Sequence, residues 1–261
     1  MKQKVLLSFD VEEFDLPKEH GAKISVAEGA RVSAEGLKKI LDLLKKNNVK
    51  ATFFCTGNFA KEQPQLIKRI FNEGHEVAGH GVDHFKPSSL DAKKCKKILE
   101  EMVPSKVVGY RQPRMQKINY KNLREWGYKY DSSVNPAFIP GRYNNLKVPR
   151  KAFMKDGVLE IPTSVATCMR VPMFWLALHL FPLRMYIQLA RGALKKQGYF
   201  ATYFHPWEFA DLGKFDVVPW YIKKNSGEKL VKRLEKLIKG LKSSESEFVT
   251  YDEFAQNKYE N

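Results

Sequence analysis

The sequence predicts one α/β domain over residues 1–261, built on a parallel sheet or a barrel. Short apolar runs alternate along the chain with segments whose apolar residues recur at helical spacing. This alternation is typical of βαβ units. With 261 residues, 43% of them hydrophobic, the chain can bury a large core, and α/β barrels of this length are commonly one domain.

The first predicted strand begins at Val5 and ends in a cluster of carboxylates. Residues two apart in a strand share a face, so Asp10 and Glu12 are expected to point the same way. They lie at the strand's carboxyl end, the edge where parallel sheets and barrels place their chemistry. Two adjacent carboxylates repel each other unless a cation or a shared proton lies between them. The cluster comprises Asp10, Glu12, Glu13 and Asp15.

The elements that follow are predicted in chain order. Residues 16–31 carry Pro17, Gly21 and Gly29 with little periodicity and predict a long loop. Ser33 is the predicted N-cap of a helix that ends at the asparagine pair 47–48. The further predicted strands are 50–55, 75–78, 106–110, 128–132, 158–162, 199–204 and 247–251. The further predicted helices are 64–72, 89–102, one ending at 126 and one through 230–241, with a loop over 136–149.

The formal net charge is +16, from 45 Lys and Arg against 29 Asp and Glu. Such a charge favours an anionic membrane face, nucleic acid, or an acidic or phosphate-bearing glycan as partner. No recognised nucleic-acid-binding motif accompanies it, so no nucleic acid partner is expected. The three cysteines, Cys55, Cys95 and Cys168, lack CxxC spacing and predict neither a disulfide framework nor a zinc knot.

Two features bear on location. Residues 1–4 lead directly into the first strand, which leaves no room for a signal peptide and predicts a cytoplasmic protein. Residues 171–183 contain no Asp, Glu, Lys or Arg, and a basic helix follows them, up to residue 197. The apolar run is too short to span a bilayer. It predicts a helix packed against the barrel or, as the alternative, a peripheral membrane contact through 171–197.

Two histidines four residues apart, His80 and His84, can reach one metal ion if the backbone turns helically between them. A carboxylate from elsewhere in the chain would complete a face of two histidines and one carboxylate, with open positions for water and substrate. Glu12 is the first candidate and Asp10 the second. On spacing alone the pair could equally be ordinary surface or core residues, and His75 is predicted to be structural.

Five motifs in the sequence carry a resemblance to a known family. They are Asp10-Val-Glu12, His80-Gly-Val-Asp-His84, Arg111-Gln-Pro113, Tyr130-Asp-Ser-Ser133 and Phe204-His-Pro-Trp-Glu208. In this order they resemble the polysaccharide deacetylases of the NodB-homology family, carbohydrate esterase family 4, in particular the branch with Asp-Val-Glu and His-Pro-Trp-Glu motifs. The resemblance runs from residue 4 to about residue 210. It implies an irregular (β/α)7 barrel, with residues 1–261 as a single catalytic domain.

The resemblance also assigns a metal site and a general base. Asp10 matches the aspartate that takes a proton from the attacking water. Val11 stands where many members carry a metal-binding aspartate, and Glu12 takes that role by resemblance to the branch. His80 and His84 match the two metal-binding histidines. One divalent ion is implied, with zinc expected.

Three further roles follow from the resemblance. Arg111 matches the arginine that orients the base, and the backbone N–H of Arg114 matches a donor to the oxyanion. His205 matches the general acid that protonates the leaving amine.

The Asp-Trp pair of the family's fourth motif has no clear counterpart. Asp131 or Glu208 is therefore predicted to orient the acid histidine, and Trp207 or Trp175 to form a wall of the pocket.

The implied activity is metal-dependent hydrolysis of the N-acetyl group of an amino sugar, in a glycan or a lipid-linked glycan precursor. A cytoplasmic protein, peripheral at the inner membrane face, would meet such a precursor. Two alternatives stay open: a C–N hydrolase of non-sugar amides, as in allantoinase-like relatives, and a non-catalytic glycan-binding barrel.

Overall fold

The computed structural model describes residues 2–88, 90–141, 143–167, 169–242 and 246–259, in which strands and helices alternate. The strands are β1 (Gln3–Val11), β2 (Thr52–Cys55), β3 (Glu76–Gly79), β4 (Gly109–Tyr110), β5 (Tyr130–Asp131), β6 (Phe138–Ile139), β7 (Tyr143–Asn144), β8 (Phe153–Lys155), β9 (Val158–Glu160), β10 (Tyr199–Phe204) and β11 (Ser246–Phe248). The helices are α1 (Leu16–Glu19), α2 (Val26–Asn47), α3 (Gly57–Glu62), α4 (Pro64–Asn72), α5 (Asp91–Glu100), α6 (Tyr120–Glu125), α7 (Trp175–Leu180), α8 (Leu183–Gln197), α9 (Trp220–Lys223), α10 (Glu228–Leu241) and α11 (Tyr251–Tyr259). Short 3-10 helices span Pro113–Met115 and Pro206–Phe209.

Parallel strands curl into an irregular barrel. Their order is β10, β1, β2, β3, β4, β5 and β9, and every neighbouring pair in this series is parallel. The chain after β9 reaches β10, where Ser164 N donates to Ala201 O at 2.8 Å and Ala201 N donates to Ser164 Oγ at 2.9 Å. β11 pairs with the amino end of β1, and β8 adds an antiparallel strand to β9. The predicted α/β barrel is confirmed.

Strand β1 sends alternate side chains into two environments. Phe9 belongs with Val5 and Leu7 to the core between the sheet and the helices, where it stacks on Phe53 at 5.1 Å between ring centroids. Leu6 belongs to the core inside the barrel. Because side chains alternate along a strand, the residues that share the inner face with Leu6 are Ser8 and Asp10.

The predicted loop over residues 16–31 is wrong, because α1 and the first turns of α2 occupy it. The N-cap of α2 is Ser25, whose Oγ accepts the backbone N–H of Glu28 at 3.1 Å. A glutamate three residues after the cap is the spacing of a capping box, and it marks the true helix start. Ser33, the predicted cap, is buried inside the helix.

Two glycines, Gly29 in the predicted loop and Gly36 in the predicted helix, are required for close packing of α2. A Cβ at Gly29 would lie 2.8 Å from the carbonyl oxygen of Phe14. A Cβ at Gly36 would lie 1.8 Å from the carbonyl oxygen of Pro206. These glycines therefore let α2 press directly on the segments that carry the acidic cluster and the last motif.

Other boundaries also differ from the predictions. The strands predicted at 106–110 and 128–132 shorten to the two-residue strands β4 and β5, and the predicted loop at 136–149 contains the β6–β7 hairpin. The strands in this irregular part of the barrel pair over only two residues each. The β-propensity of the residues does not predict such short strands. The last strand ends at Phe248, and α11 begins at Tyr251. Helix α5 starts at Asp91, whereas the predicted start, Ser89, lies outside the described residues, as does Cys168.

The apolar segment 171–183 packs on the barrel as α7 and the start of α8. Leu178 and His179 of α7 and Tyr186 of α8 are buried, whereas Leu180 and Met185 keep 47% and 44% of their surface exposed. In the described part of the chain, no helix combines the length and the apolar character needed to cross a membrane.

His75 is the basis of a pH prediction. Its ring is buried, its Nδ1 accepts the backbone N–H of Ala51 at 3.3 Å, and burial lowers its pKa to about 4. Because the folded pKa lies below the unfolded value of 6.5, the stability due to neutral His75 is complete above pH 6.5 and lost as pH falls towards 4. His75→Asn keeps an acceptor without titrating.

We expect the unfolding free energy of the wild type to fall by roughly 2–3 kcal/mol more than that of His75→Asn between pH 7 and 4. Urea titrations at several pH values measure this difference, with the exposed His20→Gln variant as control. Parallel pH curves for wild type and His75→Asn would contradict it.

Candidate active site

A cavity opens at the carboxyl end of the parallel strands, above the inner face of β1. Several predicted site residues line it directly, and Arg111, Asp131 and Glu208 do not belong to its lining. The predicted residues that line the cavity are Asp10, Glu12, His80, His84, Arg114, Trp175, His205 and Trp207.

Glu12, His80 and His84 form a buried group whose ligand atoms lie within 4.8 Å of one another. Glu12 Oε2 is 3.4 Å from His80 Nε2 and 3.0 Å from His84 Nε2. Neither Glu12 Oε2 nor His80 Nε2 has a hydrogen-bond partner, although both atoms are buried. Buried polar atoms are nearly always satisfied. Two unpartnered atoms that face the same point therefore fit a metal ion, and this carboxylate with two imidazoles is a suitable ligand set for one.

The other nitrogen of each histidine is fixed by a hydrogen bond. His80 Nδ1 donates to the carbonyl oxygen of Arg111 at 2.8 Å, and His84 Nδ1 donates to Asp15 Oδ2 at 2.8 Å. Bonds of this kind at metal sites set the tautomer and leave Nε2 free to bind the ion. The observed partners turn both Nε2 atoms towards Glu12.

The charges of the group balance each other. Burial opposes ionisation of Glu12, but the positive imidazoles of His84 and His205 hold the pKa of Glu12 well below its usual value. Burial likewise opposes a proton on His84, but Glu12 and Asp15 raise the pKa of His84 well above its usual value. The buried carboxylates are thus stabilised by cationic charge, as they are at a metal site.

Asp10 is held by the buried side chain of Arg111. Nη1 of Arg111 lies 2.5 Å from Asp10 Oδ1 and 3.0 Å from Ser8 Oγ, and Nε donates to the carbonyl oxygen of Ser132 at 2.9 Å. The guanidinium also lies over the ring of Phe54, 4.0 Å from its centroid. Burial opposes the charge of Arg111, but Asp10 is the main group that raises its pKa in spite of burial. Arg111 thus fixes Oδ1, while Asp10 Oδ2 lies 4.0 Å from His80 Nε2, towards the cluster.

His205 and Glu208 form a hydrogen-bonded pair within one 3-10 turn. His205 Nδ1 donates to Glu208 Oε1 at 2.8 Å, and the backbone N–H of His205 donates to the same oxygen at 2.6 Å. Burial opposes a proton on His205, but Glu12 and Glu208 raise the pKa of its imidazole. Glu208 is therefore the residue that orients His205, and the orientation leaves Nε2 directed away from Glu208.

Aromatic rings surround His205. Trp207 stacks on its imidazole with ring centroids 5.0 Å apart, and Trp175 meets it edge-on at 5.4 Å. Trp207 Nε1 also donates to Glu12 Oε1 at 3.1 Å. Both tryptophans predicted as pocket walls thus line the cavity, and Trp207 contacts both His205 and the carboxylate of Glu12.

Asp131 does not orient His205, which corrects one of the two alternatives. Its carboxylate accepts the backbone N–H and the hydroxyl of Ser133, both at 2.8 Å. Asp131 sits on β5 beside the buried Glu160, so its hydrogen bonds stabilise the strand end. Asp131 does not line the cavity that His205 lines.

Arg114 lies at the cavity with a left-handed backbone, at a φ of 59°. Its guanidinium forms an ion pair with Glu19 of α1. This conformation is uncommon for a residue other than glycine, and strained backbone of this kind clusters at functional sites.

Sequence reasoning missed three supporting residues. Asp15 holds His84, and Glu13 accepts Thr56 Oγ1 at 2.8 Å. Both belong to the acidic cluster after β1, which was the available signal. The third is His179, whose Nε2 donates to Glu208 Oε2 at 2.8 Å. No motif points to His179, since its partner is 29 residues further along the chain.

The fold and the site define an α/β barrel in which one carboxylate and two histidines, at the carboxyl end of the strands, form a group that could hold a metal ion. Residues 2–130 match the family model described as polysaccharide deacetylase. This part of the chain, just under half of it, resembles the polysaccharide deacetylase family. The matched segment contains the predicted metal ligands and Arg111, whereas His205 and Glu208 lie beyond it.

A named relative is similar in sequence, and solved structures share the fold. Peptidoglycan-N-acetylmuramic acid deacetylase PdaA of Bacillus subtilis (strain 168) is 47% identical, over 44% of this chain and 47% of that protein. A probable polysaccharide deacetylase from Pseudomonas aeruginosa PAO1 has a TM-score of 0.69 at 15% identity, covering 99% of this chain and 91% of that one. PuuE allantoinase also has a TM-score of 0.69, at 14% identity, over 99% and 90% of the two chains. At these identities the structures show the fold alone.

The chain spans about half or less of the length of the curated relatives that it matches. Activity, substrate and partners are therefore inferred below from the site.

The Asp15–His84 contact generates a prediction about metal affinity. Asp15→Asn removes the charge that holds the imidazole but keeps an oxygen acceptor. Because such partners orient the ligand and raise its basicity, we expect metal affinity to fall about 10- to 100-fold. Competition with a chromophoric chelator measures it, with the exposed Asp216→Asn as matched control. Wild-type affinity in Asp15→Asn would contradict the assigned role.

Proposed function

We propose that this chain is a metal-dependent deacetylase that hydrolyses the N-acetyl group of an amino sugar in a glycan or glycan precursor. The observation that carries the proposal is the convergence of Asp10, the Glu12–His80–His84 cluster and His205 on one cavity. The names of relatives such as peptidoglycan-N-acetylmuramic acid deacetylase support the substrate class. Zinc is the proposed metal, since two imidazoles and one carboxylate suit it.

The metal ligands in this proposal are Glu12, His80 and His84. A divalent ion held there would polarise the carbonyl under attack and acidify the attacking water. The remaining steps fall to groups of the chain itself, beginning with a general base close to this site.

Asp10 is the proposed general base. Its Oδ1 is fixed by Arg111, and its Oδ2 lies on the side of the metal cluster. The adjacent guanidinium pairs with the carboxylate and fixes its orientation. Asp10 is therefore ready to accept the proton of the attacking water.

His205 is the proposed general acid. Since Nδ1 donates to Glu208, the proton available to the leaving amine is the one on Nε2. Burial between Trp207 and Trp175 limits competing water at this imidazole. The backbone N–H of Arg114, in the cavity wall, is the proposed donor to the oxyanion.

Replacing the base separates catalysis from metal binding. Asp10→Asn removes the proton acceptor but none of the proposed ligands, so we expect acetate release to fall about 10²- to 10⁴-fold with metal content unchanged. Acetate release from N-acetylated glycan oligomers measures the first effect and elemental analysis the second.

The double variant His80→Ala, His84→Ala is the complementary case, in which metal and activity are expected to disappear together. A fully active Asp10→Asn, or a metal-free double variant with wild-type activity, would refute the mechanism. A zinc-loaded wild type that hydrolyses cyclic amides such as allantoin, but no N-acetylated glycan, would favour the non-sugar amidase.

A lipid-linked, phosphate-bearing glycan precursor at the cytoplasmic face of a membrane is the substrate source that we propose. The net charge of +16 supports it, because a basic surface is attracted to anionic lipids. Leu180 and Met185 are exposed at the junction of α7 and α8, beside the exposed basic residue Arg184. Apolar side chains next to basic ones are typical of peripheral membrane contacts.

Cosedimentation with vesicles tests this contact. We expect binding to vesicles that contain anionic lipid, weaker binding in high salt because the charge is screened, and a further loss in Leu180→Ser, Met185→Ser. Met154→Ser is the matched control, since Met154 is 53% exposed elsewhere, on β8. Equal cosedimentation of wild type with neutral and anionic vesicles, or none with either, would contradict the proposal.

A further inference from the structure

His179 is a buried histidine joined to the acid histidine through one carboxylate. Glu208 accepts His205 Nδ1 on its Oε1 and His179 Nε2 on its Oε2, each at 2.8 Å. The side chains of His179 and Glu208 have no exposed surface. The three side chains form a continuous hydrogen-bonded series from the interior to the cavity, where His205 lies.

Helix α7 positions His179 firmly. The carbonyl oxygen of His179 accepts Asn225 Nδ2 at 2.6 Å, and its ring meets Trp175 edge-on at 6.0 Å. Trp175 in turn contacts His205. The apolar segment 171–183 thus supplies one polar side chain to the interior, and that side chain contacts the carboxylate which orients His205.

The protonation of His179 follows from its partners. Burial disfavours the charged form of Glu208, but hydrogen bonds from His179 and His205 lower its pKa, so the carboxylate is ionised and accepts on both oxygens. An ionised carboxylate cannot donate, so His179 Nε2 carries a proton. Its Nδ1 is buried and has no hydrogen-bond partner. The hydrogen bond to Glu208 therefore places a proton on Nε2 of His179.

Loss of His179 would leave Glu208 Oε2 buried without a donor. A buried charged acceptor without a partner carries a large desolvation cost. The carboxylate could reduce this cost by rotating or by taking up a proton, and either change would weaken its hold on His205 Nδ1. The orientation of the acid therefore depends on a residue outside the cavity.

We propose that His179 is a positioning residue for His205. By donating to Glu208 Oε2, it fixes the carboxylate so that Oε1 orients His205 and directs Nε2 of that histidine into the cavity. This inference rests on the proposed function, in which the C–N bond breaks and the amine leaves with the proton from His205.

Substrates with different leaving groups can distinguish a positioning role of His179 from a purely structural one. An amine needs a proton to leave, whereas 4-nitrophenolate leaves an acetate ester without one. In His179→Phe we expect kcat for an N-acetylated glycan to fall about 10²-fold, the size of effect that small misplacements produce, with kcat for 4-nitrophenyl acetate little changed. His179→Gln keeps a donor near the position of Nε2 and is expected to recover much of the amide activity. The exposed His20→Gln is the matched control.

The outcomes of this experiment are distinguishable. An equal loss on both substrates in His179→Phe, without recovery in His179→Gln, would overturn the positioning role. If the zinc-loaded wild type releases acetate from neither substrate, the proposed function fails, and the hydrogen-bonded series can still be tested by NMR.

Imidazole ¹H–¹⁵N spectra of the zinc-loaded protein provide that independent test. We expect His179 to be protonated at Nε2 and His205 at Nδ1, with the His205 Nδ1–H signal shifted or lost in His179→Phe. Protonation of His179 at Nδ1 instead, or a His205 signal unchanged in His179→Phe, would overturn the inference.

Discussion

The site depends on one constraint: four buried carboxylates, at the end of β1 and directly after it, must be stabilised in the interior of the protein. Each carboxylate is stabilised by different partners. Asp10 is paired with Arg111, Glu12 faces two imidazoles, Glu13 accepts a hydroxyl and amide groups, and Asp15 holds His84. Removing one partner of a buried charge commonly costs about 3–5 kcal/mol. The carboxylates therefore determine which side chains must surround the end of β1.

Much of the site follows from the sequence because its residues lie in short motifs at strand ends. The two-residue period of a strand places Asp10 and Glu12 together. His80 and His84 also face one point, although the chain between them does not make the helical turn on which that prediction depended. The roles of Asp15 and His179 could not be predicted, since each depends on a contact across the barrel. Asp15 reaches a residue 69 positions away, and His179 one that is 29 positions away.

For the fold too, one part could be predicted from the sequence and another could not. The alternation of strands and helices predicted the barrel, and α4 has the predicted bounds of residues 64–72. The prediction failed where a tertiary contact decides the local structure. Gly29 indicates a loop by composition, but it lies in α2, where the neighbouring backbone leaves no room for a Cβ. Glycine is unfavourable inside a helix by about 1 kcal/mol, and close packing is the reason to accept that cost here.

The last motif places His205 and its partner Glu208 in one turn of the chain. The family's fourth motif has no clear counterpart in this chain, and Glu208, one of the two residues predicted to orient His205, follows it by three residues in the same turn. The backbone N–H of His205 and its imidazole both donate to one oxygen of Glu208, which leaves the second oxygen facing the interior. A carboxylate used in this way needs a donor on its far side, because low dielectric makes an unpaired charge costly. The turn that contains His205 and Glu208 thus depends on a donor from another part of the chain. Helix α7 supplies that donor through its single histidine, His179.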